Sequence, residues 1–180
     1  VDAIQYCWYA TSGNDYSEPI KTPGLAWQQH NGYFYSKYSD MLKFCFMWEN
    51  ARFVCGKMTI EEFKNYLWDY WVEWYFRDDR YLTVDNKPVF HIYSCDNFFS
   101  TVGNDGAKQV IDFMNEDIKK DGYDGMIVLW QSSGNDVNKL KQFAAAGGDG
   151  IMTYAYGQPS YDPSYLKEAN EKGLANIKKA

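Results

Sequence analysis

The chain has 180 residues and a net charge of −6, a length that suits one domain. The acidic balance excludes a general nucleic-acid binder, which needs clustered Lys and Arg to meet phosphate; the one dense basic run, Lys178 and Lys179, is at the chain end. Two His, and four Cys with no CxxC pair, leave no metal site or other cofactor to expect.

In chain order, the first segment, "AIQYCWYA" (Ala3 to Ala10), is a nearly continuous apolar run and predicts a buried strand. The residues from Thr11 to Asp40 are loop-like, with a short helix expected around Leu25 to Lys37. A second strand is predicted over "LKFCFMWE" (Leu42 to Glu49). "TIEE" then supplies a capping box, Thr59 with Glu62 three residues on, which satisfies N–H groups of a first helical turn. Ile60, Phe63, Leu67, Tyr70, Trp71 and Trp74 recur at three- and four-residue steps, so one helix face is apolar and the helix should end near Phe76. "PVFHIYS" (Pro88 to Ser94), "GMIVLWQS" (Gly125 to Ser132) and "GIMTYAYG" (Gly150 to Gly157) predict three more strands. Helices are expected between and after them, over about Gly106 to Lys120, Asp136 to Ala146 with Gly147 as the stop, and Pro163 to Lys178.

Continuous apolar strands alternating with helices predict an α/β fold with a parallel sheet covered on both faces. The related units "GYDGMIVLW" and "GGDGIMTYAY", and the absence of a Gly-rich phosphate loop, favour a (β/α) TIM-type barrel over a doubly wound sheet. A full barrel has eight units in about 250 residues. Five are visible here, so residues 1–180 are expected to form a single, partial (β/α) barrel domain. Its open sheet edges would invite self-association. No apolar run approaches the ~20 residues of a membrane-spanning helix, and no basic region followed by an apolar stretch marks a signal peptide.

Barrel chemistry sits at the C-terminal ends of the strands. Those ends read Tyr9, then Trp48-Glu49-Asn50, Tyr93, Trp130-Gln131, and Tyr156, with His91 sharing a strand face with Tyr93. Aromatic residues make up 19% of the chain, with 7 Trp and 16 Tyr, which exceeds what a core needs. Aromatic faces cover sugar C–H surfaces, and amides and carboxylates bind hydroxyls. The rim therefore predicts a carbohydrate site, against the plainer alternative that the rings only plug the barrel. Glu49 is the best-placed carboxylate and the one candidate catalyst, with Asp96 after the third strand less well placed. Glycoside hydrolysis uses two carboxyl groups, and no convincing second one stands on the strand ends.

"FCFMWEN", the aromatic helix after it and "DDRYLTVDNKPVFHIY" resemble the glycoside hydrolase family 99 and WbsX-like group of (β/α)8-barrel proteins. Asp79, Arg80 and Tyr81 match the group's Asp-x-Arg-Tyr element in part; Lys87, Pro88 and Val89 match its strand start, with Asn86 where Gly is common; Ile92 and Tyr93 match the strand end. The resemblance implies a carbohydrate-active domain acting on or binding a polysaccharide, of α-mannoside type. It implies an O-glycosyl hydrolase as the parent activity, with Trp48, Glu49 and Asn50 contacting sugar. The group's late catalytic segment, similar to "WNEWxEG", has no counterpart here, so no family catalytic residue transfers. The alternative it leaves is a non-catalytic glycan-binding or surface-polysaccharide biosynthesis protein.

Overall fold

The computed structural model describes residues 3–10, 32–50, 58–132, 136–152, 167–168, 171–172, 174–176 and 178–179. Strands β1 (Ala3–Trp8), β2 (Lys43–Trp48), β3 (Thr83–Val84), β4 (Lys87–Ile92), β5 (Ile127–Gln131) and β6 (Gly150–Met152) form one sheet. Five of them run parallel in the order β1-β2-β4-β5-β6, and the short β3, which the sequence reading did not anticipate, pairs antiparallel with the start of β4. The strand order follows the chain without reversal. Helix α1 (60–76) follows β2, α2 (Cys95–Asp117) follows β4 and α3 (Val137–Ala145) follows β5. The described residues 167–168, 171–172 and 174–176 are helical, inside the expected last helix.

All three helices lie on the same face of the sheet. Trp71 of α1 meets Trp8, Phe46, Trp48 and Phe90; Phe98 of α2 meets Trp48; Phe143 of α3 meets Trp130. A doubly wound sheet reverses its strand order and carries helices on both faces. Sequential order with one-sided helices is barrel winding, and the described chain is a partial α/β TIM-type barrel.

The capping box at Thr59 starts α1 as expected: Glu62 N donates to Thr59 Oγ1 at 3.1 Å, and Thr59 N donates to Glu62 Oε2 at 2.6 Å. The helix then alternates α turns with two π-helical stretches, Phe63–Trp68 and Val72–Phe76. The reason is in the side chains. Phe63, Leu67, Trp71 and Tyr75, with Trp68, Val72 and Phe76 beside them, recur every four residues and are all buried. A four-residue repeat outruns the 3.6-residue α turn, and the wider π turns keep both rows on the sheet. Tyr75 and Phe76 thereby take inward places, while Trp74, read from the sequence as inward, is 50% exposed.

The second helix begins earlier than the predicted start at Gly106. Ser94 caps it, its side chain accepting from Asn97 N at 3.3 Å. Gly103, at φ 72° and ψ 176°, breaks it into two runs. The sequence pattern registered only the second run. That backbone region is essentially restricted to glycine, so Gly103→Ala is expected to destabilise the fold by about 2 kcal/mol, read as a lower urea midpoint. An unchanged midpoint would mean the break relaxes into a continuous helix.

The resemblance motif turns out to hold the end of the barrel opposite the strand C-termini. Phe44 N donates to Arg80 O at 3.0 Å and Leu82 N to Phe44 O at 2.7 Å, so residues 80–82 run beside the start of β2. The Tyr81 hydroxyl donates to Val89 O at 2.9 Å. Arg80 forks onto Asp78 at 2.9 and 2.7 Å, donates to Ser39 Oγ at 2.7 Å, and lies 5.4 Å from the Tyr33 and Phe34 ring centres. The β3–β4 turn has positive φ at both central residues, Asp85 (49°) and Asn86 (56°), as a type I′ hairpin turn requires.

Candidate functional site

Successive side chains on a strand point to opposite faces, and the helix contacts settle which residues point where. Tyr6, Trp8, Phe44, Phe46, Trp48, Phe90, Ile92, Val128 and Trp130 belong to the core shared with the helices. Their neighbours therefore line the other, inner face. The parallel register aligns these into rows. One row reads Cys7, Met47, His91, Leu129 and Gly150, each paired with the next across the sheet. The row above it, at the C-terminal ends, reads Tyr9, Glu49, Tyr93, Gln131 and Met152. Glu49 N donates to Trp8 O at 2.9 Å and Tyr93 N to Trp48 O at 3.0 Å, extending the ladder there, and Gln131 pairs with Met152.

The strand-end residues picked out in the sequence thus divide. Tyr9, Glu49, His91, Tyr93 and Gln131 share the inner face. Trp48 and Trp130 face the helices. Trp48 is 2% exposed, with ring centres of Trp71, Phe63 and Phe98 at 5.5, 5.9 and 6.3 Å. Trp130 is 7% exposed and 5.9 Å from Phe143. Neither ring presents a face to the inner side. Asn50, 1% exposed, staples two loops: its Oδ1 accepts from Ser94 N at 2.8 Å and its Nδ2 donates to Ser94 O at 2.9 Å. It joins the end of β2 to the cap of α2, which positions Glu49 and Tyr93 beside each other. Tyr156 lies outside the described residues.

Sequence reasoning took Trp48-Glu49-Asn50 as one cluster. Consecutive strand residues cannot share a face, and counting in twos from Glu49 would have found Met47 and Cys45 beneath it.

Glu49 is buried at 8% exposure, and it is the one carboxylate on the described inner-face rows. His91, one row deeper, is 5% exposed. Burial pushes its imidazole pKa down to about 4, against a smaller opposing pull from a hydrogen bond with the Phe46 backbone. The ring is therefore neutral at physiological pH. Among the described residues no partner reaches its Nδ1. Cys45, deeper still, is buried, and its thiol is pushed up to about 12, which keeps it protonated and unreactive.

Other acidic groups near the strands lie away from this row. Asp96 is exposed on α2 and receives Lys139 Nζ at 2.5 Å. Asp149 precedes β6 at the opposite end and accepts from Val128 N at 2.8 Å, while Asp124 receives Asn86 Nδ2 at 3.2 Å. Both act as turn braces. Among the described residues no cluster of three His, Cys, Asp or Glu side chains could hold a metal ion, and no helix is long and apolar enough to cross a membrane.

Comparison with known proteins gives one family. No curated protein and no solved structure matches the chain. The model of the family described as "Glycosyltransferase WbsX" matches residues 32–178. That span contains β2 to β6, the Arg80–Tyr81 brace, Glu49, His91, Tyr93 and Gln131. The chain belongs to the WbsX glycosyltransferase family.

Proposed function

We propose that the inner face at the strand C-termini binds a polysaccharide or glycan chain, with α-mannoside units favoured by the family resemblance. The observation that carries this reading is the row Tyr9, Glu49, Tyr93 and Gln131, aligned by the parallel register on the face opposite α1, α2 and α3. Two phenols can lie against sugar C–H faces, and a carboxylate and an amide can hold hydroxyls. Trp48 and Asn50 support the row from behind, Trp48 through the helix-side core and Asn50 through its two bonds to Ser94.

The chemistry of the parent domain would be at a glycosidic bond. With Glu49 as the single described carboxylate of the row, these residues are suited to holding a glycan rather than cleaving it, since hydrolysis uses an acid and a base or nucleophile. Calorimetric titration with α-linked manno-oligosaccharides and a wider glycan panel tests the reading. Binding is expected, and Glu49→Gln should weaken it about tenfold, the scale of one charged hydrogen bond. A folded protein that binds no glycan in the panel would remove the proposal. Hydrolysis of an α-mannan that disappears in Glu49→Gln would overturn the division between holding and cleaving.

A further inference from the structure

We infer that His91 is the specificity-determining group at the floor of the inner face, where its Nδ1 shares a hydrogen bond with one hydroxyl of the bound glycan. This rests on the glycan reading of the row above it and adds the residue that selects among glycans.

His91 interrupts an otherwise apolar row: Cys7, Met47, Leu129 and Gly150 flank it on both sides. Glu49 stands one row above on the adjacent strand, since Met47 pairs with His91 and Tyr93 N bonds to Trp48 O. His91 is only 5% exposed, yet its Nδ1 has no partner among the described residues. A buried polar atom in that state lowers stability, so a side chain kept there only for packing would be better replaced by Leu. Trp48 and Trp71 also have indole N–H groups with no partner among the described residues. Both indoles pack on the helix side, whereas His91 is on the side of Glu49 and Tyr93. The ring stays neutral at physiological pH, so Nδ1 offers one uncharged hydrogen-bonding position, which suits a hydroxyl, itself both donor and acceptor, and not an anion. A site that hydrogen-bonds a particular hydroxyl rejects the analogue lacking it far better than an apolar pocket rejects an extra group.

The test uses His91→Leu, with thermal unfolding and calorimetric titration run in parallel on manno-oligosaccharides and monodeoxy analogues. The two readouts are expected to move in opposite directions. The melting temperature holds or rises, because an unpaired polar atom leaves the core. Affinity falls about tenfold or more, the loss of one buried hydrogen bond. One monodeoxy analogue should bind the wild type as weakly as the parent sugar binds the variant, and the variant should not distinguish the two. A lower melting temperature with unchanged affinity would make His91 a packing residue and overturn the inference while the glycan reading stands. If His91→Leu does not fold, the deoxy series on the wild type decides alone: equal affinity for every monodeoxy analogue overturns the inference. No glycan binding by the wild type would instead remove the underlying reading.

Discussion

Trp71→Ala is expected to destabilise the protein by about 4 kcal/mol, in the range for truncating a buried aromatic side chain. Trp71 is fully buried and sits at the centre of the seam between α1 and the sheet. Its ring centre lies 5.1 Å from Phe90, 5.2 Å from Trp8, 5.3 Å from Phe46, 5.5 Å from Trp48 and 5.7 Å from Phe63. Those partners come from three strands and the helix itself, so the cavity cannot close by moving one neighbour. A domain is stable by about 5–15 kcal/mol, and the loss would take a large part of that. Trp74→Ala is the internal control. Trp74 is half-exposed on the same helix and stacks on Tyr70 at 6.1 Å; its truncation should fall within about 0.5 kcal/mol, as for surface sites. Urea unfolding of both variants checks this pair. Equal effects would mean that the π turns do not set which Trp faces the sheet.

Arg80→Ala is expected to cost about 3 kcal/mol, summing charge-assisted hydrogen bonds and ring contact. The guanidinium joins Asp78, Ser39, Tyr33 and Phe34, so one side chain ties the segment before β2 to the segment before β3. Arg80→Lys should recover little of the loss, since an ammonium cannot reproduce the planar fork. The interaction also has a pH signature. The hydrogen bond from Arg80 holds the Asp78 carboxyl below its ordinary pKa, against an opposing effect of burial. A carboxyl lowered in the folded state contributes stability that is fully present above its unfolded value, about 3.9. That contribution is lost as pH falls through the lower folded value. The stability gap between wild type and Arg80→Ala should therefore be largest near neutral pH and shrink below about pH 4. Denaturant titrations at neutral and acid pH measure it, and a gap that does not change with pH would show that Asp78 contributes nothing through its charge.

The motif that carries the family resemblance is thus structural chemistry. Arg80, Tyr81, Asn86 and Val89 stand at the end of the barrel opposite the strand C-termini and set the hairpin, the strand edge and the ion pair there. These contacts hold the register of β2 and β4, and the register aligns Glu49 with Tyr93 on the far end.

Much of this was legible in the residues alone. The apolar runs located the strands, because a strand covered on both faces must be apolar throughout: β1, β2, β5 and β6 fall within the predicted spans, and β4 begins one residue before its own. The Thr59–Glu62 box located the start of α1, because orphan N–H groups at a helix start need a local acceptor. The same continuity hid the site. In a run such as "KFCFMWEN" both phases of the two-residue alternation are apolar, so neither announces which side faces the helices. The break at Gly103 was also invisible, because apolar spacing measures the helix face and not its backbone.

What the sequence by itself determined was the five parallel strands, the helices expected between them and the chemistry available at the strand ends. Only the tertiary structure decided how that chemistry divides. The aromatic stripe of α1 docks on Trp8, Phe46, Trp48 and Phe90, which commits one phase of every strand to the core. The other phase, Tyr9, Glu49, His91, Tyr93 and Gln131, is left to the inner face. The physical reason is that alternation along a strand is a local property with two equivalent solutions, and only packing against a helix from elsewhere in the chain chooses between them.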